Sequence, residues 1–273
     1  IVVVGTGVAG MEAAWIAAAR RHSVTVFGSG SEVGGKLRLA SMLPGGEALS
    51  SVYDYQHATA LTAGARIELG IHAGIEEILA CKPDAVVLAT GATMIPPLWL
   101  PQEASDAGLV PDLRAAMADT LHLTAKQPGT AVIYDMDHMA WTYAAAEFLR
   151  ARFARVVIIT PRDGIAQDIA MVIHQGIVRR MHEQRIDVVL NAEPCWSDAI
   201  EDGRLEYANV YTGDRCTIDD VAFFAYSTPR APDDTLAGEL RARGVPVHLA
   251  GDCKVARNVL AATAEGHAIG NLL

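Results

Sequence analysis

Gly5-Thr6-Gly7-Val8-Ala9-Gly10 places three glycines in the spacing G-x-G-x-x-G, directly after a β-branched run and directly before an alanine-rich stretch. Glycine serves where a backbone must turn tightly or approach another group closely. In this spacing Gly5 permits the turn, Gly7 lets a pyrophosphate reach the main chain, and Gly10 lets a helix pack on its strand. Val8 and Ala9 then open a helix whose first N–H groups face phosphate. A second glycine pair lies in Glu32-Val33-Gly34-Gly35-Lys36-Leu37, where Gly35, Lys36 and Leu37 can close over another face of the pyrophosphate. A nucleotide-binding unit of this kind ordinarily ends its second strand with an acid that accepts from the adenosine ribose. Here that position is Gly28, leaving Ser29 and main-chain groups to flank the ribose.

The elements that must hold these loops follow from hydrophobic periodicity. Ile1 to Val4 reads as a strand, Met11 to Arg20 as a helix and Val24 to Phe27 as the next strand, one βαβ unit. A helix over about 48–63 and strands at Arg66 to Leu69 and Asp84 to Ala89 extend it, the last apolar enough for a sheet covered on both faces. After a proline-rich segment a new βαβ pattern begins at Thr130, with strand Ala131 to Tyr134, helix Met139 to Arg152 and strand Arg155 to Thr160. A helix at about 168–184 and strands at Asp187 to Leu190, Leu205 to Tyr211 and Val221 to Tyr226 complete it. Ser227 to Asp234 reads as a linker, and the strand Pro246 to Ala250 with the helix Asn258 to Leu273 is suited to complete the first sheet. The expected architecture is α/β: two Rossmann-like three-layer dinucleotide-binding domains, the second (101–234) inserted in the first (1–100 and 235–273).

Composition narrows the partners. A 273-residue chain that is 51% hydrophobic can bury two cores. Its net charge of −10 argues against nucleic acid, whose phosphates need a basic surface. Apolar runs are strand-length, so no membrane span is predicted, and without a basic n-region at the start the expected location is the cytoplasm. The four cysteines form no C-x-x-C and predict no metal site. His174 and His182 lie two helical turns apart, about 12 Å along the axis, too far for one ion. The run His138, Trp141, Tyr143 likewise lacks the spacing of a binding cluster. Both ends fall at element boundaries, which predicts a piece of a longer polypeptide.

Further motifs carry a resemblance. The pattern from Gly28 to Gly35 resembles the E-x-x-x-x-x-G-G loop of flavoproteins with two dinucleotide-binding domains, less its acid. Ala89-Thr90-Gly91 resembles that superfamily's A-T-G loop and Gly251-Asp252 its terminal G-D motif. The resemblance implies that Ala89, Thr90, Gly91, Gly251 and Asp252 meet the rest of FAD, Asp252 at the ribityl or pyrophosphate part. Met42-Leu43-Pro44-Gly45-Gly46-Glu47, Tyr53-Asp54-Tyr55 and Ala131 to His138 look like the C-terminal half of the trimethylamine dehydrogenase, histamine dehydrogenase and 2,4-dienoyl-CoA reductase family. That likeness spans nearly the whole chain. It implies an FAD- or ADP-binding module of an amine dehydrogenase or N-demethylase, preceded by an old-yellow-enzyme-like barrel with FMN and a 4Fe-4S cluster. Electrons would pass to an external acceptor such as an electron-transfer flavoprotein. The family's disulfide enzymes carry C-x-x-x-x-C after the glycine pair; Gly35 to Ala40 has no cysteine, which excludes disulfide reduction.

Two other readings stay open. An NAD(P)H-dependent flavin or enoyl reductase would need a second glycine turn, but Asp135-Met136-Asp137-His138-Met139-Ala140 contains no glycine. There, side chains fill the space a pyrophosphate needs, and Asp135 and Asp137 are expected to repel it. A non-catalytic ADP-binding module for assembly or docking is the other. No residue is nominated as acid, base or nucleophile, because flavin chemistry belongs to the cofactor.

Overall fold

Three valines, Val2–Val4 (β1), are buried on both faces and occupy the centre of a parallel sheet. The computed structural model describes residues 1–273 and separates into two units, each described by itself. From β1 the chain passes through helix Val8–Ala19 (α1), strand Thr25–Gly28 (β2), helices Lys36–Ser41 (α2) and Ser50–Thr62 (α3), and strand Arg66–Leu69 (β3). Helix Ile75–Ala80 (α4) and strands Val86–Leu88 (β4) and Ala92–Met94 (β5) follow. The intervening unit contains helices Gln102–Asp106 (α5) and Leu113–Thr120 (α6), strand Gln127–Asp135 (β6), helix Ala140–Arg152 (α7) and strand Phe153–Ile159 (β7). It continues with helix Met171–Glu183 (α8) and strands Asp187–Val189 (β8), Ala192–Cys195 (β9), Leu205–Asn209 (β10), Arg215–Ile218 (β11) and Val221–Ser227 (β12). Back in the first unit come strand Arg230–Pro232 (β13), helix Thr235–Ala242 (α9), strand Val247–Leu249 (β14) and helix Val259–Leu272 (α10).

The first unit's sheet is all parallel, in the order β14-β4-β1-β2-β3. Val86, Val87 and Leu88 are each 0% exposed, as an apolar strand covered on both faces requires. Helix α1 begins at Val8, three residues before the alanine-rich stretch, because Gly7 is already its extended N-cap. Its alanines permit close packing against α10, where glycines complete the fit: a Cβ on Gly266 would lie 2.3 Å from the Ala9 carbonyl, and one on Gly270 2.6 Å from Ile16 Cβ.

The second unit has a parallel sheet, β12-β6-β7-β8, and a separate antiparallel one, β11-β10-β9. Val132, Ile133, Tyr134, Val157, Ile158 and Ile159 are all fully buried within it. Pro194 sits within β9, an edge strand that pairs with β10 alone, the kind of position in a sheet where proline is tolerated. Both units are mixed α/β with parallel, Rossmann-like sheets. No helix in the chain is long and apolar enough to cross a membrane.

Candidate nucleotide-binding site

The three glycines of the first turn meet three different surroundings. Gly5 has φ +112°, and a Cβ there would lie 2.2 Å from the Ala89 carbonyl oxygen. At Gly10 a Cβ would lie 2.1 Å from the Gly5 carbonyl oxygen and 3.1 Å from Ala89 Cβ. Both are glycine because strand β4's end, the turn and α1 close on one another. Gly7 differs, for a Cβ there meets nothing within 4 Å. Open space thus stands over the helix N-terminus, where no side chain caps α1 and the first N–H groups lack helical acceptors.

The second glycine pair is fastened to this turn. Gly34 N–H donates to the Thr6 carbonyl at 2.8 Å, and Gly35, with φ +53°, would bring a Cβ 3.1 Å from Gly7 Cα. Against it lies Tyr53, whose ring would be 2.9 Å from a Cβ on Gly34 and over which the Arg38 guanidinium stands at 4.8 Å from the centroid. Leu37 is buried in the core with Val33, so its side chain packs rather than faces the opening. Lys36 reaches the other way: its ammonium donates to the Ala92 carbonyl, stands 3.6 Å from Asp252 Oδ2, and would be 3.7 Å from a Cβ on Gly91.

The absent acid of β2 has a steric counterpart. A Cβ on Gly28 would come within 2.6 Å of both Cγ2 and Oγ1 of Thr6, which fills the space an acidic side chain would cross. Ser29, just beyond the strand, is exposed. The Thr90 hydroxyl is spent internally, donating to the Asp233 carbonyl and lying 3.1 Å from Cys253 Sγ. Burial raises the Cys253 thiol's pKa, and the thiol donates to the Asp233 carbonyl at 3.2 Å. Asp252 accepts from Arg230 Nη1 at 2.9 Å and from the Arg257 N–H at 3.2 Å. Motif reasoning missed Arg230 and Arg257: the first opens the short strand β13, the second lies in an irregular segment, and neither carries a spacing signal.

In the second unit the turn after β6 spends its amides on its own chain. Met136 and Asp137 N–H donate to the Ser227 carbonyl at 2.7 and 3.0 Å, and His138 N–H to Asp135 Oδ1 at 3.0 Å. The expectation that Asp135 repels a ligand's charge needs correction. Its side chain is fully buried and faces inward, accepting from the Tyr143 hydroxyl at 2.6 Å. Burial pushes its pKa up to about 6, against the opposing hydrogen bonds from Tyr143 and His138. Tyr143 in turn accepts from Ala166 N–H at 2.5 Å, and His138 Nε2 lies 3.0 Å from Thr160 Oγ1. His138 and Tyr143 meet at the buried Asp135 in an inward structural cluster, while Trp141 stands apart, under the Arg114 guanidinium at 5.5 Å. His138 and Ala166 hold left-handed φ of +51° and +54°, a cost the cluster's bonds offset. Tyr143→Phe strands Asp135 Oδ2 and the Ala166 amide, and is expected to lower stability by about 2–3 kcal/mol in a denaturant titration. No group of three or more His, Cys, Asp and Glu is placed to hold a metal ion.

A glycine turn at the carboxyl edge of one Rossmann-like sheet, in a chain with a second such sheet, is the architecture of a dinucleotide-binding module. Over residues 1–264 the sequence matches the pyridine nucleotide-disulphide oxidoreductase family, and the chain belongs to it. Membership implies FAD binding, although all four cysteines here are free. Among curated relatives, a probable N-methylproline demethylase of Rhizobium meliloti is 38% identical over 173 residues, 62% of this chain and 24% of that protein. The chain therefore spans about a quarter of that relative's length. Histamine dehydrogenase from Rhizobium sp. 4-9 has the same fold with a TM-score of 0.84 at 24% identity, covering 100% of this chain and 41% of that one. Thioredoxin reductase of Lactococcus lactis follows at a TM-score of 0.72 and 21% identity, covering 99% of this chain and 96% of that one.

Proposed function

We propose that the first unit binds the adenosine diphosphate part of FAD, or ADP itself, within an amine dehydrogenase or N-demethylase of the FMN plus iron-sulfur type. The open space over Gly7 carries this reading, because it is the one glycine of the turn that protein packing does not require. Gly5, Gly7, Val8, Ala9 and Gly10 would hold the pyrophosphate, Gly28 and Ser29 flank the ribose through main-chain and hydroxyl groups, and Gly35, Lys36 and Leu37 close over it. Ala89, Thr90, Gly91, Gly251 and Asp252 would line the remainder. FAD, when bound, supplies electron uptake and release; these residues orient it and exclude water. The amine substrate class is supported by the demethylase relative's name, and an N-terminal barrel partner by the larger size of the related chains. Electrons would leave to an external acceptor such as an electron-transfer flavoprotein.

The Asp252 carboxylate is engaged by Arg230, Lys36 and the Arg257 amide, so it would meet either nucleotide as one member of a charged cluster that Arg230 holds in place. On this reading Arg230→Gln weakens ADP binding about tenfold and leaves adenosine binding unchanged, as calorimetry would measure. The NAD(P)H-reductase alternative is disfavoured by the spent amides after β6, and flavin bleaching by NADPH in stopped flow would revive it. The test of the whole reading is an absorbance spectrum with mass analysis of the released ligand. Flavin bands with FAD released support an electron-carrying module, a colourless protein releasing ADP supports the ADP form, and absence of any nucleotide overturns the assignment.

A further inference from the structure

Glu265 lies on α10, away from every glycine motif, yet its carboxylate converges on the loop after β14. Oε2 accepts the Gly251 N–H at 2.9 Å, and Oε1 accepts from the Arg257 guanidinium and stands 3.3 Å from the Lys254 ammonium. Gly251 has φ +65°, and a Cβ there would lie 2.7 Å from Ala9 Cβ, so this amide is held at the start of α1. Arg257 also reaches Asp252: its N–H donates to Oδ1, and its carbonyl accepts from Arg230 Nη2 at 3.3 Å. One carboxylate therefore anchors both the main chain before Asp252 and the arginine whose backbone holds the Asp252 side chain. Burial would raise the Glu265 pKa, but the bonds from Arg257, Gly251 and Lys254 outweigh it and hold the group ionised below the usual range.

We infer that Glu265 is a positioning residue for the nucleotide site, fixing the Gly251 amide directly and Asp252 through Arg257. The inference rests on the nucleotide reading of the first unit. A carboxylate that only stabilised α10 would not need its two oxygens divided between a loop amide and two basic side chains. Glu265→Gln keeps an acceptor for the Gly251 N–H, while Glu265→Ala removes it.

The test compares both variants with the wild type by amide hydrogen exchange over residues 250–257 without ligand, and by calorimetric titration with ADP. In Glu265→Ala the Gly251 amide is expected to exchange at least about tenfold faster and ADP affinity to fall about tenfold; Glu265→Gln restores the exchange to within about threefold but, because its amide nitrogen cannot accept from Arg257 or Lys254, recovers only part of the affinity. Unchanged exchange in Glu265→Ala overturns the inference, and so does a Glu265→Gln variant whose Gly251 amide exchanges as fast as in the alanine one. If the wild type binds no ADP or FAD but the exchange pattern holds, the loop anchoring stands and the nucleotide reading falls.

Discussion

Gly7→Ala is expected to leave the first unit's stability within about 1 kcal/mol of wild type while weakening ADP binding at least about a hundredfold. The two effects separate because of what surrounds each glycine. Gly7 has ordinary extended angles and an open Cβ direction, so an added methyl costs the fold only the difference between glycine and alanine as N-caps. A pyrophosphate resting on that main chain would meet the methyl directly. Gly10→Ala has the opposite signature. Its methyl would enter the Gly5 carbonyl at 2.1 Å, with no flexible side chain to yield, and should cost about 3 kcal/mol or more. Chemical denaturation and ADP calorimetry on both variants measure the pair. A Gly7→Ala protein that retains wild-type affinity would falsify the phosphate assignment.

The second large effect is a cancellation in the second unit's pH dependence. Asp135 titrates near 6 in the folded chain against an ordinary 3.8, so its contribution is fully present below pH 3.8 and is lost as pH rises through 6. That loss amounts to about 3 kcal/mol. His138 runs the other way: burial, then the Arg162 charge, lower its pKa from 6.5 to about 4. Its contribution is present above pH 6.5 and falls away toward pH 4, again by about 3 kcal/mol. Between pH 4 and 6 the slopes oppose, and wild-type stability in urea should be nearly flat. Asp135→Asn leaves the histidine alone, so stability rises from pH 4 to 6.5; His138→Gln leaves the aspartate, so it falls. Parallel slopes in the two variants would refute the opposed titrations.

Much of the first unit was legible because its signals are local. Val2–Val4, Arg66–Leu69 and the apolar run around Val86 announce strands by composition, and the glycine spacing announces the turn between β1 and α1. What escaped was set by contacts distant in sequence. Thr6 over Gly28 explains the missing acid only once β1 and β2 lie side by side. The strands β9 and β11 carry a proline and exposed polar residues, and are strands because β10 pairs with both. Asp135 reads as an exposed loop charge in one dimension; Tyr143, eight residues on, turns it inward. Arg230, Arg257 and Glu265 belong to no motif, and only the fold gathers them around Gly251 and Asp252.

The glycine seam between α1 and α10 has a consequence for synthesis. Ala9 and Ile16 are completed by Gly266 and Gly270, so on the ribosome the apolar flank of α1 waits for residues more than two hundred positions downstream. At ordinary translation speeds that delay is on the order of tens of seconds, ample time for Met94–Pro229 to fold within the interval. Until the last helix emerges, the nascent first unit leaves the alanine-rich flank of α1 uncovered.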